Sequence, residues 1–112
     1  MPGSALPQSL EAERAVLGGL MLDPDQVLVV AERLGPDDFY REVHGQLFQV
    51  MVDMAKGNEP TETAAVVEKV ASKGMADATG GLDYVQRLAD NVPSTKNLDY
   101  YAEIVRQRSV SR

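Results

Sequence analysis

The chain contains no cysteine and only one histidine, His44, among its 112 residues. Without cysteine, a disulfide bond and a thiolate metal site are both excluded. A lone histidine also has no second histidine or cysteine with which to share a zinc ion. His44 precedes Leu47 and Phe48 by three and four residues, which is helical spacing. We therefore expect a hydrogen-bonded core or boundary residue at this position rather than a metal ligand.

Long apolar runs and catalytic motifs are missing as well. No stretch approaches the ~18 apolar residues of a membrane span, and the first residues lack the basic and apolar regions of a signal peptide. A cytoplasmic protein is therefore expected. No Gly-Lys dipeptide is present for a Walker A phosphate loop, and neither a Gly-x-Ser-x-Gly elbow nor a calcium loop occurs. These absences predict that this chain is not itself an enzyme and binds no cofactor or metal.

The charge of the chain is acidic and unevenly distributed, with a net value of -6. Residues 1–95 carry 15 acidic and 7 basic side chains, a balance of -8, whereas residues 96–112 carry 4 basic and 2 acidic ones, a balance of +2. Nucleic-acid binding depends on Lys and Arg neutralising phosphates, so direct DNA binding is disfavoured. A helix-turn-helix DNA reader would need a basic recognition helix. The one net-positive helix is the last, whose apolar stripe is committed to packing.

Six segments carry apolar residues at helical spacing, separated by short connections rich in Gly and Pro. In chain order, their predicted buried faces include Leu17 and Met21; Val27, Val30 and Leu34; Leu47, Phe48 and Met51; Val66 and Val70; Leu82, Val85 and Leu88; and Leu98, Tyr101, Ala102 and Val105. A chain of this length predicts one domain. We expect a flexible lead-in at residues 1–8 and a compact, all-α orthogonal bundle of about six helices at residues 9–112.

Capping residues and helix breakers predict the helix boundaries. The predicted N-caps are Ser9, Asp23 with Gln26 completing a capping box, Thr61 or Thr63, and Ser94 or Thr95. Glu11 and Glu13 fall in the first turn of the first helix, where the helix dipole favours anions. Gly18 and Gly19 lie inside that helix and indicate close packing by a neighbouring helix rather than a ligand site. No stop signal precedes Arg112, which predicts that the last helix continues in a longer protein.

The segment Asp37–Tyr40 is predicted to be a short turn between the second and third helices. It sets two aromatic residues side by side. We expect one of Phe39 and Tyr40 to fill the core and the other to lie across the surface. The third helix is predicted to run from about residue 41 to residue 56, with Gly57 as its stop.

Several short sequence motifs follow one another along the chain in a recognisable order. They are Pro7–Glu13, Ala15–Gly19 with Leu22–Pro24, Asp38–Arg41 with His44, Gly57–Pro60, Gly80–Leu82, and Asn91–Ser94 with Asn97, Tyr100–Ala102 and Ile104–Arg106. At these spacings the chain resembles the N-terminal domain of bacterial replicative DNA helicases, the DnaB family. The motifs cover nearly all of residues 7–112.

The resemblance implies a helical head domain. In the family this head is followed by a helical hairpin and an ATP-hydrolysing, Mg²⁺-dependent motor that unwinds duplex DNA. It further implies a weak dimer, a hexamer built as a trimer of dimers, and docking of the primase C-terminal helicase-binding domain and of a helicase loader. DNA would be contacted only by the complete ring. The alternative is a generic acidic helical adaptor or regulatory domain with no attached motor. A Walker A motif in the longer sequence would decide between the two.

Three residues are predicted to dock partners: Glu11, Tyr84 and Arg106. Tyr and Arg are enriched among interface hot spots, and an acidic rim residue can steer a basic partner. We expect Glu11 to be exposed, and we expect Tyr84 to present its ring and hydroxyl at the surface. The simpler alternatives are that Tyr84 completes the core and that Glu11 only complements the helix dipole.

Overall fold

The computed structural model describes residues 9–92 and 94–112, and over these ranges it contains six α-helices and no strand. The helices are α1 (Leu10–Leu22), α2 (Val27–Ala31), α3 (Glu42–Lys56), α4 (Thr63–Ser72), α5 (Leu82–Leu88) and α6 (Leu98–Val110). The predicted all-α bundle is confirmed. The predicted lead-in at 1–8 and Pro93 lie outside the described residues. No helix in the described ranges is both long and apolar enough to cross a membrane.

Helix α1 is the centre of the bundle, because α3, α4, α5 and α6 all pack against it. Its residues 16–21 are all buried. A Cβ atom added at Gly18 would overlap the backbone carbonyl oxygen of Leu88, which follows directly from how closely α5 approaches. The close packing predicted at Gly18 is therefore confirmed. Only glycine lets the end of α5 lie this near to the α1 backbone.

A 3₁₀ turn at Pro36–Asp38 leads into α3 and fixes the two adjacent aromatic residues. Phe39 is 5% exposed and its ring lies 5.2 Å from that of Phe48, whereas Tyr40 is 54% exposed. The expected division into one core and one surface aromatic residue is confirmed. This turn also places the backbone of residues 40 and 41 beside α1.

The predicted helix caps have mixed outcomes. Ser9 caps α1 as expected, because its Oγ accepts a hydrogen bond from the Ala12 amide. Asp23 does not cap α2: its side chain makes no capping bond, and a 3₁₀ turn at Pro24–Gln26 separates it from the α-helix. The prediction that Thr61 caps a helix is also wrong, because its buried hydroxyl donates a hydrogen bond to the Leu20 carbonyl instead.

Two further boundaries differ from the prediction. Thr63 is the first residue of α4 rather than its cap, and Glu62 takes the N-cap position without a side-chain bond. Helix α6 begins only at Leu98, after a 3₁₀ turn at Thr95–Asn97 that Ser94 caps by accepting from the Lys96 amide. The apolar stripe of α6 then packs on α1, with Leu98, Ala102 and Val105 buried.

Candidate protein-docking groove

A groove of about 570 Å³ lies between the first turns of α1, the end of α5 and α6. Its walls are formed by Glu11, Arg14 and Ala15 from α1, by Tyr84, Arg87, Leu88, Asn91 and Val92 from α5 and the turn after it, and by Tyr101 from α6. Two of the three residues predicted to dock partners, Glu11 and Tyr84, therefore share one concave surface. Glu11 is exposed, as expected.

Tyr84 differs from its prediction in where the hydroxyl group is held. The residue is only partly exposed, and its hydroxyl oxygen lies 2.6 Å from Nε2 of His44. The hydroxyl is thus hydrogen-bonded to a buried residue, while the residue itself still lines the groove. The ring also packs against the core, so Tyr84 belongs to both the core and the surface.

Behind Tyr84 lies a buried polar cluster formed by Glu13, His44 and the start of α3. Glu13 is 1% exposed and His44 is 0% exposed. Oε1 of Glu13 lies 2.7 Å from Nδ1 of His44, and its Oε2 accepts a 2.6 Å hydrogen bond from the Tyr40 amide. A longer bond of 3.4 Å comes from the Arg41 amide. The glutamate therefore satisfies backbone amides at the entry to α3, which has no side-chain cap of its own.

Glu13 was expected only as a first-turn acid of α1, and the structure shows that it is buried. It is one of four buried polar or charged residues found in the described parts of the chain, with His44, Thr61 and Thr79. The prediction for His44, a hydrogen-bonded core residue, is confirmed. No buried side-chain nitrogen or oxygen within residues 9–92 and 94–112 lacks a hydrogen-bond partner.

Arg106 does not line this groove. It is exposed on α6, and its Nη1 lies 3.5 Å from Oδ1 of Asp38 in the 3₁₀ turn before α3. Ser109 donates a 2.7 Å hydrogen bond to the same carboxylate oxygen, and Oδ2 of Asp38 accepts from the Gly35 amide. Asp38 therefore joins the last turns of α6 to the turn before α3. The structure brings Glu11 and Tyr84 together and leaves Arg106 on a separate surface.

The groove is not acidic, although the overall composition of the chain is. One carboxylate, Glu11, and two guanidinium groups, Arg14 and Arg87, line the groove. Arg87 lies 3.7 Å from Asp83 on the same helix, with both side chains well exposed. Exposed pairs of this kind contribute about 0–1 kcal/mol. The groove thus offers a partner an aromatic ring flanked by charges of both signs.

Comparison with known proteins decides the family. The model of the DnaB-like helicase N-terminal domain matches residues 5–107. The chain belongs to this helicase N-terminal domain family. The resemblance inferred from the short sequence motifs is thereby confirmed, and the comparisons favour it over a generic helical adaptor or a helix-turn-helix DNA reader.

Relatives of this helicase N-terminal domain agree in sequence and in fold. The chain is 42% identical over 106 residues to replicative DNA helicase DnaB of Geobacillus stearothermophilus, a match covering 95% of this chain and 23% of that protein. The chain thus spans about a quarter of the length of that relative. It superimposes on the crystal structure of the N-terminal domain of DnaB helicase from Mycobacterium tuberculosis with a TM-score of 0.86 and 36% identity, covering 94% of this chain and 76% of that one.

A second solved structure shows the same fold at lower identity. It is the N-terminal domain of DnaB helicase from Helicobacter pylori, described together with its interactions with primase. The TM-score is 0.79 at 24% identity, and the match covers 100% of this chain and 88% of that one. At this identity the likeness establishes the fold alone.

Sequence reasoning missed Glu13 and its link to His44, although a signal was present. Glu13 precedes Val16, Leu17 and Leu20 by three, four and seven residues, so it lies on the apolar stripe of α1. His44 occupies the same position relative to its own stripe on α3. Two polar residues that each extend a buried apolar stripe can form a hydrogen bond with each other in the core.

Proposed function

We propose that this domain is the non-catalytic docking and assembly module of a hexameric replicative DNA helicase. In the parent protein a separate motor domain binds ATP and Mg²⁺ and unwinds duplex DNA at the replication fork in the bacterial cytoplasm. Pairs of N-terminal domains associate weakly, and three pairs form a collar on the ring. This collar receives primase through the primase C-terminal helicase-binding domain, and it receives the helicase loader.

The groove between α1, α5 and α6 is the proposed contact for primase. The observation that carries this proposal is that Glu11 and Tyr84 line one groove. A half-buried tyrosine beside charged residues has the character of an interface hot spot, because a rigid ring gives a large contact area at a low cost in conformational entropy. Glu11 and the two arginines of the groove can orient a partner that carries charges of both signs.

Titration of full-length parent helicase with the primase C-terminal domain tests the groove. Tyr84→Ala and Glu11→Ala are compared with Tyr100→Ala and Glu68→Ala, which replace exposed residues of the same types outside the groove. A hot spot contributes about 2 kcal/mol or more, so Tyr84→Ala should weaken binding roughly 30-fold. The two control variants should bind primase like the unmodified helicase.

Circular dichroism and thermal unfolding of each variant confirm that the domain is folded at the titration temperature. Arg106→Ala is included to test whether the contact extends beyond the groove along α6. If folded Tyr84→Ala and Glu11→Ala helicases bind primase with unchanged affinity, the groove is not the docking site.

A further inference from the structure

Three side chains from three different helices form a continuous chain of short hydrogen bonds that ends at the groove. Glu13 of α1 bonds to His44 of α3 at 2.7 Å, and His44 bonds to Tyr84 of α5 at 2.6 Å. Glu13 and His44 are buried, whereas Tyr84 lines the groove. The groove wall is thus connected directly to the polar centre of the core.

The partners of Glu13 indicate the direction of its bond to His44. Both of its oxygens accept from backbone amides, those of Tyr40 and Arg41, as an ionised carboxylate does. Nδ1 of His44 must then donate to Glu13. When the imidazole is neutral, its other nitrogen, Nε2, is an acceptor, and the Tyr84 hydroxyl donates a hydrogen bond to it.

The ring of Tyr84 is confined on several sides. The planes of the His44 and Tyr84 rings are 12° apart, with their centroids 5.9 Å from each other. Gly80 has a φ of +96°, and a Cβ atom there would lie 2.8 Å from the ring carbon Cδ2, so a glycine is required on that side. The guanidinium carbon of Arg41 lies 5.8 Å from the ring centroid.

We infer that Glu13 and His44 are positioning residues that hold Tyr84 in one orientation in the groove, so that a partner meets a preorganised ring. The inference rests on the proposed function in taking Tyr84 as the docking contact. Fixing a side chain before binding removes the entropy cost of ordering it in the complex. When the Tyr84 hydroxyl donates its hydrogen bond to His44, the oxygen of Tyr84 can only accept a hydrogen bond from the partner.

Two substitutions of His44 separate positioning from a general role in stability. The amide nitrogen of His44→Asn can replace Nδ1 and keep the bond to Glu13, but it leaves the Tyr84 hydroxyl without an acceptor. The amide oxygen of His44→Gln can replace Nε2 and keep the acceptor for Tyr84. His44→Gln loses the donor to Glu13 instead, so a role in stability alone predicts that any loss of primase affinity follows the fall in melting temperature of each variant.

We expect His44→Asn to weaken binding of the primase C-terminal domain to full-length helicase by roughly five- to tenfold, which corresponds to about 1–1.4 kcal/mol. His44→Gln should bind within about twofold of the unmodified helicase, since its acceptor is kept. In a Tyr84→Phe background the two His44 variants should bind equally, because no hydroxyl group remains to be positioned.

A spectroscopic measurement without partner completes the test. In the 112-residue chain labelled with ¹⁹F-tyrosine, the resonance lost in Tyr84→Phe identifies Tyr84. A shifted or exchange-broadened Tyr84 signal in His44→Asn, but not in His44→Gln, supports the inference. Equal spectra and equal affinities for the Asn and Gln variants overturn it, as does an affinity difference that persists in the Tyr84→Phe background.

The two proposals fail in different ways. If Tyr84→Ala does not change primase binding, the proposed docking function is wrong, and the fluorine spectra alone decide whether His44 fixes the ring. If Tyr84→Ala weakens binding but the Asn and Gln variants of His44 behave alike in both measurements, docking stands and the positioning role is wrong.

Discussion

Replacing Glu13 by alanine should destabilise the domain far more than replacing Glu11, although both lie in the first turns of α1. Glu13 is the buried acceptor of hydrogen bonds from the Tyr40 amide, the Arg41 amide and Nδ1 of His44. Glu13→Ala removes the acceptor from all three donors at once. Glu11 is exposed, so its contribution to the stability is limited to a solvent-screened interaction with the helix dipole.

The expected magnitude follows from the lengths of these bonds. The bonds from Tyr40 and His44, at 2.6 and 2.7 Å, are short, whereas the bond from Arg41 is long at 3.4 Å. Two buried donors left without an acceptor cost about 1–3 kcal/mol each, which gives roughly 4 kcal/mol for Glu13→Ala. This is a large part of the ~5–15 kcal/mol that stabilises a typical domain. For Glu11→Ala we expect a change of at most ~0.5 kcal/mol.

Urea and thermal unfolding of the 112-residue chain, followed by circular dichroism at the helix band, measure both changes. With about 4 °C per kcal/mol for a domain of this size, the melting temperature should fall by about 15 °C in Glu13→Ala and by no more than ~2 °C in Glu11→Ala. Glu13→Gln keeps the shape of the side chain and should fall between them. Equal, small losses for the two alanine variants would refute the assignment of Glu13 as a buried acceptor.

Two further predictions concern packing at α1 and the end of α6. Gly18→Ala should lower the free energy of unfolding by about 1–2 kcal/mol, because overlap with the Leu88 carbonyl outweighs a gain of ~1 kcal/mol in helix propensity. Gly19→Ala is the control, since its Cβ would meet only the end of a leucine side chain at 3.0 Å. If Gly19→Ala melts no higher than Gly18→Ala, this account is contradicted. Asp38→Ala should cost about 1–3 kcal/mol and speed hydrogen exchange at the end of α6, because the Ser109 hydroxyl loses its acceptor. Unchanged exchange there would show that Asp38 does not hold this helix.

The helices could be predicted because the information for each is local. Apolar spacing and the breaker Gly57 are contained within a few residues, and α3 ends at Lys56, directly before that glycine. The split between Phe39 and Tyr40 was also predictable as a choice of one core and one surface ring. Which of the two enters the core depends on the packing around Phe48, which the sequence does not reveal.

Caps and the site depend on distant partners, and there the sequence was insufficient. Thr61 was expected at a helix start, but its hydroxyl donates a hydrogen bond to the carbonyl of Leu20, 41 positions earlier. Glu13 looked like an ordinary first-turn acid because its donors lie 27 to 31 residues further along the chain. The shared groove of Glu11 and Tyr84 likewise exists only after α5 has packed on α1.

The packing of α1 against α6 has a consequence for the order in which this domain can be completed during synthesis. Helix α1 leaves the ribosome before α6, and part of its apolar surface is covered only when Leu98, Ala102 and Val105 of α6 arrive. Closing the long loop between α1 and α6 costs only slightly more entropy than closing a shorter one. The two helices can pack, however, only after α6 has been synthesised. Until then α1 carries exposed apolar surface of the kind that favours association between nascent chains. A chain cut before Leu98 would keep that surface exposed permanently.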